Sequence, residues 1–388
     1  MEKYKDIVLL ARPDHSYSIY KSLLASSLKF EYISFKLFPR WLQRYIKDSR
    51  FSYYDENYTS SFLLTIVHIL RTKFGFSFLE KYEKPLFERK TSRYIRGKEI
   101  KVLHYWPNFC VESIAKYKRQ NPSVKTYADV YYPCELWVLD NIKPYLSGLG
   151  LNASMSDVER DAKNFDLLMS IEDNFIVPSK FILDTYKQYY PDKNYIIVPY
   201  GISIWCNYKK KNKKKDSSEV TKFVYVGSVS VEKGCLLLFD FFSKNTSLEL
   251  HIFGALNSSQ EALLRTYFNF ENISYHGIVP NTELQEHICK YDVGIHLSLF
   301  DAYSLAVGEI LGAGLPVIVS NKTGISDLIE KINSGIVTEL DDESIKNSVE
   351  KIRDVDFYNR CIDNLDVYIQ SNPVSYGDSV IQFYQSVL

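Results

Sequence analysis

Short apolar runs alternate with amphipathic stretches of helical length along most of the 388-residue chain. Runs at 7–11, 32–35, 101–104, 124–128, 175–177 and 195–198 have the length and composition of buried strands, and 111–119 and 179–189 fit helices between them. A second series follows a polar interval. Its expected strands are 223–226, 248–253, 273–276, 293–297, 316–319 and 335–338, with helices at 234–243, 259–268, 281–291 and 307–313. Strands separated by helical lengths predict parallel βαβ units, since a parallel pair needs a crossover of a dozen residues or more. The pattern therefore predicts an α/β protein of two Rossmann-like, doubly wound domains facing across a cleft.

The polar interval marks the boundary. Residues 208–219 carry six lysines and two acids, and a like-charge run repels itself and resists burial. The expected division is a first domain at 1–205, a mobile linker at 206–220 and a second domain at 221–372. A final helix at 373–388 crosses back to the first domain.

Whole-chain charge is balanced, with 47 basic and 47 acidic residues. Its distribution is not: residues 1–100 hold 19 basic and 11 acidic residues, and 251–388 hold 8 and 19. A cationic first half suits an anionic membrane surface or a phosphate-bearing substrate. Segment 38–47 adds to this, because Trp41, Leu42, Tyr45 and Ile46 share one helical face flanked by basic residues. The alternative is an ordinary amphipathic helix packed on its own domain. No nucleic-acid reader motif occurs, so nucleic acid is not an expected partner. The six cysteines are scattered, without a CxxC pair or metal-like spacing, and the charged start lacks a secretory pattern. Reduced thiols, no metal and a cytoplasmic location are expected, with peripheral attachment to the inner face of the membrane through the basic half.

The candidate chemistry lies in 298–320. A strand ends near Leu297, a loop carries Asp301, and a helix begins near Ser304. Free N–H groups at a helix start, with the positive end of its dipole, form a phosphate site. Glu309 lies one to two turns further, where a carboxylate can accept from both vicinal hydroxyls of a ribose. Gly314-Leu315-Pro316 then ends the helix and returns the chain to a strand.

This segment resembles the acid-x7-Glu motif of retaining glycosyltransferases of family 4, which have the GT-B fold. Val226-Gly227-Ser228 through Lys233-Gly234 is similar to that family's Gly-Arg…Lys-Gly segment, with Ser228 in place of the arginine. Gly277, Gly324 to Ile329 and the hinge-like Val198-Pro199-Tyr200-Gly201 follow in the family's order. The resemblance implies an acceptor-side first domain and a donor-binding second domain, with catalytic roles for Asp301, on the donor sugar, Lys233, on the diphosphate, and His104. It assigns Glu309, Gly227, Ser228, Ser304, Leu305 and Gly254 to donor binding. His104 matches a histidine that faces the donor in relatives; a strand-end histidine with a local partner is the alternative. Asp129 matches the acid of a His-Asp pattern whose histidine is here Ala128, an acceptor-side position. His251, His276 and His296 read as structural.

The implied activity is transfer of a sugar from a nucleotide-diphosphate sugar, with retention and without cofactor or metal, to a saccharide or lipid-linked acceptor of surface polysaccharide synthesis. The replacements at Ser228, Ala128 and Ser304 favour a rival, a scaffold or binding subunit of the same fold with weakened turnover. A third reading, a nucleotide-sugar epimerase, fits the motif order less well.

Overall fold

The computed structural model describes residues 4–11, 13–34, 58–59, 64, 66–67, 70, 79–107, 110–151, 156–202, 214–215, 220–371 and 373–388. The amphipathic segment 38–47 and most of the interval 206–220 lie outside the described residues.

The first sheet contains β1 (Tyr4–Leu10), β2 (Phe30–Ile33), β3 (Tyr58–Thr59), β4 (Glu99–Tyr105), β5 (Lys125–Asp129), β6 (Asn174–Val177) and β7 (Asn194–Ile197). All are parallel, in the order β3-β2-β1-β4-β5-β6-β7. The second sheet contains β8 (Lys222–Val226), β9 (Glu249–Phe253), β10 (Ile273–Gly277), β11 (Val293–His296), β12 (Val317–Ser320) and β13 (Gly335–Thr338). It is also parallel, ordered β10-β9-β8-β11-β12-β13. The expected strands are thus present, and only the two-residue β3, too short to carry a periodicity, has no counterpart in the sequence pattern.

Both sheets reverse their winding once, between β1 and β4 and between β8 and β11. Strand ends diverge at such a point and leave a crevice at the carboxyl edge, where open α/β sheets bind ligands. The central strands earn their places by being apolar on both faces: every residue of β11 and β12 is buried. Helix starts are set by side-chain caps. Ser179, Asp341, Asp354 and Ser375 each accept a hydrogen bond from a backbone N–H three residues on, worth about 1 kcal/mol apiece.

The helix carrying Glu309 runs Leu305–Gly312, beginning just after Ser304 as the reading of that loop expects. Two details depart from expectation. The helix foreseen at 259–268 is a short helix, Glu261–Leu264, followed by a 3-10 turn at Arg265–Asn269, where Tyr267 and Phe268 both reach onto Phe239. The end of the lysine-rich interval is not a free tether. Lys215 Nζ pairs with Asp292 at 2.8 Å and Lys214 Nζ with Asp363 at 2.8 Å, while Lys215 and Asn359 exchange two further hydrogen bonds. The acidic second half supplies counter-charges that the run cannot supply to itself.

Helix Tyr376–Val387 packs against helix Pro13–Ala25 of the first half. Gly377 permits the approach, since a Cβ there would lie 2.4 Å from the Ser18 carbonyl oxygen. Val380, Phe383 and Tyr384 join a core with Ile7, Leu9, Ile19 and Tyr20. Among the described residues no helix is long and apolar enough to cross a membrane.

Candidate active site

The site is built where β8 and β11 part. The turn after β8 leads through Gly227 and Ser228 to Lys233, and the chain then enters helix Cys235–Lys244. Gly234 makes that entry possible. Its φ is +72°, and a Cβ would stand 1.7 Å from the Leu297 carbonyl oxygen just past β11. Any side chain here would push the Lys233 turn off the neighbouring strand end. Gly254, ending β9, is held as closely: a Cβ would lie 1.7 Å from the Gly227 carbonyl oxygen, and its φ is +148°. These two glycines draw three strand ends into one edge.

The loop after β11 is folded around Asp301. Its Oδ1 accepts from the backbone N–H of Ser304 at 2.7 Å and of Tyr303 at 3.2 Å. Its backbone N–H donates to Lys322 and its carbonyl accepts from Gly324, at 2.9 Å each. The loop closes with Ser304 at φ +66°, a left-handed conformation that non-glycine residues rarely adopt. A glycine would adopt this conformation without penalty. Ser304 Oγ is buried without a hydrogen-bond partner.

Asp301 Oδ2 faces one cation and one imidazole. Lys233 Nζ donates to it at 2.6 Å, and His296 Nε2 lies 3.5 Å away. Burial alone would raise the Asp301 pKa, but His296 and the Lys233 charge outweigh it and hold the carboxyl well below the usual carboxylate range. His296 is pushed down, first by burial and further by Lys233, against the pull of Asp301. Sequence reasoning set His296 aside as structural, and its only signal was its place at the end of β11.

Glu309 sits half-buried on the following helix, and its carboxylate has no hydrogen-bond or ion-pair partner among the described residues. Burial raises its pKa. Leu305 at the helix start is 50% exposed and Ser228 is exposed. Lys233, Asp301, Ser304, Leu305, Gly227, Ser228 and Gly254 therefore share the carboxyl edge of one sheet, with Glu309 on the helix that leaves it.

His104 and Asp129 do not join them. Both are buried, at 0% and 1% exposure. His104 Nδ1 lies 2.7 Å from Tyr384 Oη and its Nε2 lies 3.1 Å from Asp129 Oδ2, which also accepts from Tyr376 Oη at 2.9 Å. Both ring nitrogens are thus spent on partners inside the first half. The expectation of a cleft-facing histidine is corrected: the crossing helix covers it, and the local-partner alternative describes it.

Contacts from the first half reach the same loop. Ser179 Oγ donates to the Ala302 carbonyl at 2.9 Å, and the Gly201 N–H donates to Tyr303 Oη at 3.1 Å. The Tyr200 ring lies between Tyr303 and Tyr376, with centroid distances of 5.4 and 4.4 Å. The chain between the sheets therefore touches both the Asp301 loop and the buried His104 network.

Residues 207–364 match the model of the family described as glycosyl transferases group 1. A 146-residue stretch is 26% identical to an uncharacterized 41.2 kDa protein in the cps region of Klebsiella pneumoniae, covering 38% of this chain and 39% of that protein's length. Among solved structures, sucrose-phosphate synthase from Thermosynechococcus elongatus is similar with a TM-score of 0.69 at 14% identity, covering 98% of both chains. The lipopolysaccharide outer core galactosyltransferase WaaB, in its apo form, gives 0.64 at 14% identity, covering 99% of this chain and 100% of that one. HepE of Anabaena, in complex with UDP and glucose, gives 0.63 at 12% identity over 99% of both. At these identities the likeness speaks for the fold, and the fold is GT-B, as expected from the motifs.

Proposed function

We propose that the protein is a glycosyltransferase that moves a sugar from a nucleotide-diphosphate sugar to a saccharide or lipid-linked acceptor, with retention of anomeric configuration. The observation that carries this reading is the meeting of Lys233 and Asp301 at 2.6 Å, beside the start of the helix bearing Glu309, at the second sheet's switch point.

The first N–H groups of helix Leu305–Gly312 have no partners within the helix, and the unpartnered Ser304 hydroxyl lies beside them. A diphosphate resting there meets the positive end of the helix dipole. Lys233 can reach it because its pair with Asp301 is partly solvent-exposed, at 31% for the lysine side chain. The ammonium end is thus within reach of a doubly charged diphosphate, which can draw it away from the carboxylate. The unpartnered Glu309 carboxylate is free to accept from ribose hydroxyls, and Asp301 from a hydroxyl of the donor sugar.

In the transfer the bond from the anomeric carbon to the phosphate oxygen breaks and the acceptor oxygen bonds that carbon on the same face. The departing phosphate oxygen takes the acceptor's proton, and Lys233 with the helix start stabilises the charge that develops. His104 has no part in this chemistry, because it is enclosed.

The cps-region relative supports a setting in surface polysaccharide synthesis. Of the UDP-bound fold relatives, HepE makes UDP-sugars the first donors to try. Ser228, exposed where the resembling family has a cation, favours a second reading, a binding subunit with weakened turnover. A panel of UDP-, GDP- and ADP-sugars separates the two. Nucleotide release that disappears in Glu309→Ala supports the transferase, and binding without release under every acceptor supports the scaffold.

A further inference from the structure

The Asp301 carboxylate has one oxygen fixed and one contested. Oδ1 is committed to the Tyr303 and Ser304 N–H groups. Oδ2 holds Lys233 at 2.6 Å, while His296 Nε2 waits at 3.5 Å. If Lys233 turns to a donor phosphate, as the proposed function requires, a largely buried carboxylate loses its main counter-charge. That loss is costly unless another donor replaces it.

The imidazole is placed to do so. His296 is 3% exposed, and its ring stacks on Tyr225 at 5.3 Å and 6° between planes. Nδ1 is buried with no partner, whereas Nε2 faces Ser298 Oγ at 2.9 Å and Asp301 Oδ2. A neutral ring carries one proton, and only at Nε2 are there acceptors, so the proton belongs there. Tyr225 Oη in turn donates to the Ser228 carbonyl at 2.7 Å. The ring is thus clamped between the turn after β8 and the loop after β11. Its charged or titratable neighbours are Tyr225 from β8, Lys233 from the turn and Asp301 from its own loop.

We propose that His296 is a positioning residue of this site: it takes over Asp301 Oδ2 when Lys233 leaves for the donor phosphates. Closing from 3.5 Å to an ordinary hydrogen bond needs a shift of about 0.5 Å. The proton stays on the imidazole throughout. The inference rests on the transferase reading.

The test uses two variants of the full chain and one measurement independent of turnover. His296→Phe keeps a flat ring against Tyr225 and removes the N–H; His296→Gln keeps an N–H at the right reach. The phenylalanine variant is expected to lose about tenfold to hundredfold in kcat, the range for a hydrogen bond to a charged group. Its donor KM stays within about twofold, and the glutamine variant recovers most of the rate. In the wild-type protein, the His296 Nε2–H nitrogen and proton resonances move on addition of UDP, GDP or ADP, whichever binds, and stay put in Asp301→Asn. Equal rates in His296→Phe and wild type, or equal losses in both variants, overturn the proposal. So does a bound nucleotide that leaves the His296 resonances unmoved, and that result decides the matter if the variants fold poorly. Absence of binding by every nucleotide overturns the transferase reading as well, which separates the two failures.

Discussion

The Lys233 ammonium lies 2.6 Å from Asp301 Oδ2, joining the turn after β8 to the loop after β11 across the switch point of the second sheet. Each is thereby the other's counter-charge. The exchange of this pair for a diphosphate is the step on which the proposed chemistry turns. Lys233→Ala removes the cation that would meet the leaving phosphate and is expected to lower nucleotide release by about a hundredfold or more. The substitution also leaves the largely buried Asp301 carboxylate without its main counter-charge, so the melting temperature should fall as well, by the equivalent of about 3 kcal/mol. Initial rates and a thermal melt on the same preparation check both halves.

His104→Ala should injure folding rather than chemistry. The change takes one of two hydrogen-bond partners from Asp129, leaving it Tyr376, and leaves the Tyr384 hydroxyl without the imidazole, both in the core of the first half. Two buried hydrogen bonds lost, with the hole left by the ring, cost about 3–5 kcal/mol together. Denaturant unfolding should show that loss, while kcat per folded molecule stays within about threefold of wild type.

Ser304 separates strain from function. At φ +66° a glycine fits without penalty, whereas a β-branched residue does not. Ser304→Gly is expected to match or exceed wild-type stability, and Ser304→Val to lose about 1–3 kcal/mol. Chemical denaturation of the two variants measures the difference.

Glu309 predicts opposite effects on binding and stability. Burial raises its folded pKa above the unfolded value, so the group's stabilising contribution is present in acid and lost as pH rises through the folded pKa. At neutral pH the charged carboxylate therefore costs stability, and Glu309→Gln should melt at a higher temperature. Nucleotide-sugar binding needs the charged form as acceptor. Wild-type affinity should thus weaken on acidification from a pH above the ordinary carboxylate range, and that dependence should vanish in Glu309→Gln. Calorimetric binding across the acid range and melts at pH 7 check the pair.

The fold was legible because the inner strands of both series are largely apolar and separated by helical lengths, a pattern that survives without knowledge of contacts. The Asp301 loop was legible for a similar reason: an acid, a helix start and a Gly-Leu-Pro exit follow one another in a short stretch. What failed depended on distant partners. His104 ends its strand at a carboxyl edge, as a cleft residue would, but Tyr376 and Tyr384 arrive from more than 240 residues away to enclose it. The role proposed for His296 has no mark of its own in the sequence, because nothing in the pattern distinguishes a strand-end histidine that supports an acid from one that fills space. Among the helices, Glu80–Ile95 carries little apolar periodicity and an internal Pro85, so its pattern gave no helix to find. Lys214 and Lys215 belonged on paper to a mobile tether until Asp363 and Asp292 supplied charge from the other half.

The most direct test is calorimetric titration of UDP, GDP and ADP into wild-type protein, Lys233→Ala and Glu309→Ala. At least one nucleotide should bind the wild type, with the affinity reduced about tenfold or more in each variant, the size expected for losing a charged hydrogen-bond partner. Binding that is indifferent to both substitutions, or no binding by any of the three, would contradict a donor site at Lys233 and Glu309.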